Sequence, residues 1–236
     1  MQHEQGDFTS ALQSAQRALN IRLKLFGDQH SRTADSYHSL GVTQHALGDF
    51  TSALHSTRRA LDIRINLIGE EHSSTAESYC SLGATLLAQG DVSSALQSQQ
   101  RALDIRIKLF GEQHSSTANS YHSLGVAQHK QGDLTSALQS EQRALDIRLK
   151  LFGEEHSSTA DSYHSLGATQ HKQGDLSSAL QSKERALSIG LKLFGEEHSR
   201  TADSYHSLGV TQHEKGDFSS ALQSAQRALD LRRKLF

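Results

Sequence analysis

The stretch SYHSLGVTQHALGDFTSALHSTRRALDIRINLIG, residues 36–69, carries two helical patterns separated by Gly48–Asp49. After that break the apolar residues run Phe50, Ala53, Leu54, Ala60, Leu61, Ile65 and Ile68. Their spacings of three, four and seven place them on one face of a helix. Asp49 stands where a side-chain oxygen can accept the first free backbone N–H groups. Gly69 follows the last apolar residue, where a left-handed C-cap is expected. The pattern therefore predicts a helix over 50–68. A partner helix is expected to start near Ser73–Thr75 and end before Gly90. Ser74 with Glu77 three residues on reads as a capping box, and Tyr79, Leu82, Gly83 and Leu86 fall on the buried side. Gly83 and its copies permit close helix contact.

Glycine followed by aspartate recurs at 6, 48, 90, 132, 174 and 216, a step of 42 residues. Self-similarity at a fixed step marks a stacked repeat protein. The segments DQHSRTADSYHSLGVTQH (28–45) and EEHSRTADSYHSLGVTQH (196–213) differ at two positions. Each unit is a helical hairpin, and nothing reads as strand. One hairpin cannot bury its apolar face alone, so neighbours must stack. The expected organisation is one array over 1–236: a half repeat at 1–27, then units at 28–69, 70–111, 112–153, 154–195 and 196–236. QHEQ at the start matches the tail of a first helix, and LRRKLF closes a second helix, giving six second helices and five complete first helices.

Hydrophobic residues make up 35% of the chain, below the usual share, so the core must be thin and spread out. The formal net charge of −2 gives no electrostatic reason for nucleic acid or a charged membrane as partner. No apolar run approaches a bilayer span, and the polar N-terminus is not a secretory signal. The single cysteine, Cys80, fits a reducing compartment and a cytoplasmic location. Proline is absent, so glycine must stop the helices.

Leu40–Gly41, Gly48–Asp49–Phe50, Ala53, Arg59–Ala60–Leu61, Ile63–Arg64, Leu67–Ile68–Gly69, His72 and Thr75–Ala76 together resemble the 42-residue tetratricopeptide repeats of kinesin light chains and nephrocystin-like proteins. The resemblance covers essentially the whole chain. It implies an all-α, right-handed superhelical solenoid of stacked hairpins, with first helices lining a concave groove that binds a peptide or protein. Four first-helix positions then face the groove: Asp35, His38, Val42 and His45 in the first full repeat. The later sets are Glu77, Cys80, Ala84 and Leu87; Asn119, His122, Val126 and His129; Asp161, His164, Ala168 and His171; and Asp203, His206, Val210 and His213. Where the resembled repeats carry Asn-Asn, this chain has His38–Ser39, and it has Ser73 and its copies in place of a loop proline. The Thr57 column drifts through Ala15, Gln99, Glu141, Lys183 and Ala225, which suggests an exposed or loosely packed position.

His38 and His45 lie two turns apart, about 10 Å along the axis, too far to share a metal, whose helix motif needs i and i+4. No metal or cofactor is expected. His30, His72, His114, His156 and His198 form a second series, expected to order the loop before each first helix. Catalysis needs one differentiated nucleophile and base. Near-equal copies argue against an enzyme. The groove instead offers a hydrogen-bonding surface whose charge should swing near neutral pH. Cys80 and Leu87 make a local apolar break in it. Arg22, Arg64, Arg106, Arg148 and Arg232 recur on the second helices, with Gly190 interrupting, and are expected to make inter-repeat hydrogen bonds. The reading is a noncatalytic scaffold for a protein or peptide ligand. Its alternative is a structural module that self-associates head-to-tail through uncapped ends.

Overall fold

A computed structural model describes the backbone of residues 2–235 and the side chains of 9–235; Met1, Phe236 and the remaining side chains, Asp7 and Phe8 among them, lie outside that description. Among the described residues the chain is eleven helices and no strand. Contacts group them into two compact units, residues 1–111 and 112–236. The first holds α1 (Gln2–Phe26), α2 (Ser31–Ala46), α3 (Phe50–Ile68), α4 (Ser73–Gln89) and α5 (Val92–Phe110). The second holds α6 (Ser115–Gln131), α7 (Leu134–Phe152), α8 (Ser157–Gln173), α9 (Leu176–Phe194), α10 (Ser199–Glu214) and α11 (Phe218–Leu235). No described helix is long and apolar enough to cross a membrane.

Within each unit every helix packs against its neighbours in sequence, most closely inside each hairpin. The five even-numbered first helices match the sequence expectation. One difference lies at the start: α1 runs unbroken through Gly6–Asp7, where a first-helix tail and a turn were expected. In the later repeats the Gly–Asp step bends while the preceding helix is docked on its hairpin partner.

The caps show how a proline-free chain stops its helices. Asp49, Asp91, Asp133, Asp175 and Asp217 each accept the backbone N–H three residues on, at 3.1 Å. The side-chain hydroxyl of the serine at that position, and then its backbone N–H, hold these carboxyls below the ordinary aspartate range. Gly90 closes α4 at φ 90°, in the left-handed region that a Cβ disfavours. The capping box read at Ser74–Glu77 is not formed. His72 is the N-cap, its Nδ1 accepting from the Ser74 N–H at 3.1 Å, and Glu77 turns to Arg64. The whole loop-histidine series caps first helices in this way. Buried Thr33, Thr75, Thr159 and Thr201 add a staple, donating to the carbonyls of Gly27, Gly69, Gly153 and Gly195 at 2.8–2.9 Å.

Alanine and leucine carry the buried layer: Ala53, Ala60, Ala95, Ala137, Ala144 and Ala179 are fully buried, with Leu40, Leu86, Leu103 and Leu145 beside them. Small residues keep the helices close and the core thin, as the low hydrophobic fraction requires. Gly41 and its copies mark the tightest approach. A Cβ on Gly41 would lie 2.7 Å from Thr57 Cγ2, and one on Gly125 2.8 Å from Glu141 Cγ. The drifting column read as exposed is buried at four of its six positions: Thr57, Gln99, Glu141 and Lys183 are at most 4% exposed, while Ala15 is half-buried and Ala225 exposed as expected. These side chains fill the space that the glycines leave open. Their polar partners differ: Thr57 bonds to carbonyls of its own helix, Gln99 to the Cys80 carbonyl, Glu141 to Thr169, and Lys183 to Ser207 and Thr211.

Candidate functional site

The first helices of each unit present one polar face. In the first unit, Asp35 and Val42 are exposed, His38 and His45 half-buried. Glu77 reaches to 3.9 Å from His38 Nε2, and the His45 ring meets Phe50 edge-on at 5.4 Å. Cys80 is half-buried, and its carbonyl accepts from Gln99 Nε2 at 3.2 Å. Leu87 packs against the buried cluster Leu61, Leu82, Leu86 and Ala95, which explains the apolar break by packing.

In the second unit, Asn119, Asp161, His164, Asp203, His206, Val210 and His213 are exposed, and His122, Val126, His129 and His171 half-buried. His171 Nε2 lies 2.8 Å from Glu214 Oε2. His129 Nδ1 lies 2.8 Å from Thr169 Oγ1, which donates to Glu141 Oε1 at 3.1 Å. The face is thus wired to the buried column below it. Neighbouring first helices approach closely enough for these bonds, so the predicted positions of each unit do share a surface.

Beneath the acids runs the arginine series. Arg64 Nη1 donates to Ser74 O at 2.7 Å and Ser78 Oγ at 2.8 Å, and Nη2 to Asp35 Oδ1 at 3.0 Å. Arg148 repeats the set on Ser158 O, Ser162 Oγ and Asn119 Oδ1 at 2.9, 2.7 and 2.9 Å. One guanidinium thus ties three helices, as the inter-repeat reading of the series requires. The Asp104, Asp146 and Asp230 series does something the sequence reading missed: each accepts from the glutamine four residues earlier, at 2.7–2.8 Å. The i, i+4 spacing was the available signal.

The electrostatics differ from the expected neutral-pH swing. Burial is the chief cause that pushes His38, His129 and His164 below the ordinary histidine value, and positive neighbours (Arg64; Lys172 and Lys130; Lys183) add to it. Burial, then Arg148, drives His122 to about 4. Its Nδ1 is buried without a partner. The His122 ring therefore stays neutral where free histidine titrates, and the other three are shifted in the same direction. Glu141 moves the other way: burial raises it to about 7, against the bond from Thr169. Among the described residues no three His, Cys, Asp or Glu side chains gather as a metal site.

The tetratricopeptide-repeat family profile matches residues 1–66, 56–108, 74–150, 142–192 and 178–234. No curated protein matches the chain in sequence. Solved structures match in fold. The crystal structure of BtubC (BKLC) from P. vanneervenii is 21% identical over 97% of this chain and 92% of that one, with a TM-score of 0.81. A Podosopora anserina putative kinesin light chain with nearly identical TPR-like repeats is 23% identical over 87% and 98%, at 0.74. The apo form of RapI is 16% identical over 99% and 94%, at 0.71. On the profile match along its length, and on the stacked hairpins within each unit, this chain belongs to the tetratricopeptide-repeat family.

Proposed function

We propose that the chain is a noncatalytic scaffold that holds a protein or peptide segment along its first-helix faces: Asp35, His38, Val42, His45, Glu77, Cys80 and Leu87 in one unit, and the Asn119-to-His213 positions in the other. One observation carries the reading. In each unit, exposed and half-buried acids and histidines stand over a buried layer that already satisfies the fold. Such a surface recognises by hydrogen bonds, with charge setting the encounter. The same His–Ser pairs recur in repeat after repeat, so no single position is singled out for chemistry. Acids interleave with the arginines, which disfavours nucleic acid and an anionic membrane surface. A single cysteine fits a cytoplasmic setting.

Replacing His122, His164 and His206 together by alanine is expected to leave the far-ultraviolet helix signal unchanged. The affinity for a partner isolated on the wild-type chain should fall at least tenfold, about 1.4 kcal/mol. Unaltered affinity would remove the groove from the reading.

A second reading, head-to-tail self-association, has its own support. Phe218 and Leu222 are 65% and 71% exposed and line an open hollow of about 530 Å³ with Val210, His213 and Ala225. At α1, Ile21 and Leu25 are also exposed. A heterologous contact between such faces would propagate. Light scattering should then show mass rising with concentration, and Leu222→Glu should hold it at one chain. A monomeric mass at every concentration rejects this reading.

A further inference from the structure

We infer that the interruption of the arginine series at Gly190 leaves a binding site for a guanidinium group, supplied by an arginine side chain of the bound peptide. Arg64 and Arg148 each reach an acceptor side chain 29 residues earlier, a backbone carbonyl 10 residues later and a serine hydroxyl 14 residues later. Arg22 reaches the same carbonyl and hydroxyl, on Arg32 and Ser36, at 3.0 and 2.9 Å. Arg232 reaches the acid 29 residues earlier, Asp203, at 3.0 Å. Counted from 190, those three groups are Asp161, the Arg200 carbonyl and Ser204.

All three residues line a cavity of about 190 Å³ whose floor includes Gly190 and Ala186. A Cβ placed on Gly190 would meet nothing within 4 Å. The acceptor set has adjusted to the missing cation: Ser204 Oγ donates to the Arg200 carbonyl at 2.9 Å, the two groups that a guanidinium elsewhere bridges. The seat therefore keeps one carboxylate, one hydroxyl and one carbonyl, the set that binds the Arg64 guanidinium and, with the Asn119 amide in place of the carboxylate, that of Arg148. A planar fork of N–H donors fits it; an ammonium, a point charge, uses fewer of its acceptors.

Asp203 is engaged by Arg232. Arg200 Nη1 lies 3.3 Å from Asp161 Oδ1, both side chains about half exposed, and its guanidinium lies over the Phe194 ring at 5.5 Å. Such an exposed pair is weak and rearranges readily. Nor is Arg200 a replacement for the missing residue. Arg32 takes the same stance over Phe26, at 5.1 Å, beside a seat that Arg22 fills. Lys183 and His164 stand nearby, the lysine occupied by Ser207 O and Thr211 Oγ1. The cavity opens beside Asp161 and His164 on the first-helix face, so a peptide held there can insert an arginine. In that respect the inference rests on the groove reading, and it locates the one repeat where specificity resides.

The test uses the whole chain, isotope-labelled, titrated with the peptide Ac-Ala-Ala-Arg-Ala-Ala-NH2, its lysine counterpart, and N-methylguanidinium. Saturable shifts are expected at the Gly190, Ala186 and Ser204 amides, with a Kd on the order of 1 mM for the arginine peptide. The lysine peptide should bind at least tenfold more weakly, and Asp161→Asn should weaken the arginine peptide by a similar factor. Gly190→Arg should fill the seat from within, raising Tm and abolishing the shifts. Tighter binding of the peptide than of N-methylguanidinium assigns the site to peptide arginine, and equal binding assigns it to small free guanidinium compounds. No saturable shift well above that concentration, or unchanged binding by Gly190→Arg, overturns the inference. Retained binding of a groove partner by Gly190→Arg, with loss in the triple histidine variant, would remove the socket and keep the groove.

Discussion

Glu141→Gln is expected to stabilise the protein by about 3 kcal/mol at pH 8 and to change little at pH 4. Glu141 is 2% exposed, accepts one bond, from Thr169, and leaves Oε2 without a partner. No cation offsets its burial, so the neutral acid is favoured and its pKa rises to about 7. The sign follows. Between the ordinary carboxyl value and about 7 the folded chain retains a proton that the unfolded chain has released. Stability therefore falls as pH rises through that window, and the loss is complete above it. Glutamine has the same shape and no charge, so it removes the loss. Gln99 already stands at the matching position in α5, where its amide donates to the Cys80 carbonyl, so this buried column accommodates a glutamine. Unfolding curves at pH 4, 6 and 8 measure the effect. A gain that is absent at pH 8, or the same at all three values, would show that the wild-type carboxylate is not paying a desolvation cost.

That residue also marks the limit of what the sequence disclosed. The step of 42, the Gly–Asp punctuation and the apolar spacing from Phe50 to Ile68 located the helices, because those signals are local and each has one physical cause. The loop histidines and the arginine series were legible for the same reason: they recur at one register and face one neighbour. The Thr57 column was misread because variation normally means exposure. Here it means a buried slot whose occupant is chosen by the helix of the next repeat, Thr169 for Glu141 and Thr211 for Lys183. The Gly41 copies, read from the sequence as points of close helix contact, carried the clue, since a glycine kept in the middle of a helix implies something packed where its Cβ would be. At the candidate face, the sequence placed the residues on one side of the helices but could not say which histidines are desolvated. That depends on how far each ring sinks between two first helices, a property of packing between repeats. The seat at Gly190 was visible only as an interruption until the partners of Arg64 and Arg148 defined what was missing.

Desolvation makes the opposite pH dependence at His122, where the structure is expected to lose about 2 to 3 kcal/mol between pH 7 and 4.5. The ring is half-buried on α6, its Nδ1 has no partner, and burial followed by the charge of Arg148 lowers its pKa to about 4, with Asp161 opposing. The unfolded chain takes up a proton as pH falls through the ordinary histidine value, while the folded chain resists until about 4. Stability is thus full above the unfolded value and drains as pH drops toward the folded one. His122→Asn removes the titration, so its stability should be flatter over that window, with the difference from wild type vanishing as an added slope rather than a constant offset. The two variants separate the two effects: Glu141→Gln acts on the alkaline side and His122→Asn on the acid side, and the double variant should show both. Because the His122 ring stays neutral at pH 5.5, a partner held by a hydrogen bond to it should keep that bond at that pH. Wild type and His122→Asn that lose stability in parallel from pH 7 to 4.5 would place this ring in solvent and return the face to an ordinary histidine surface.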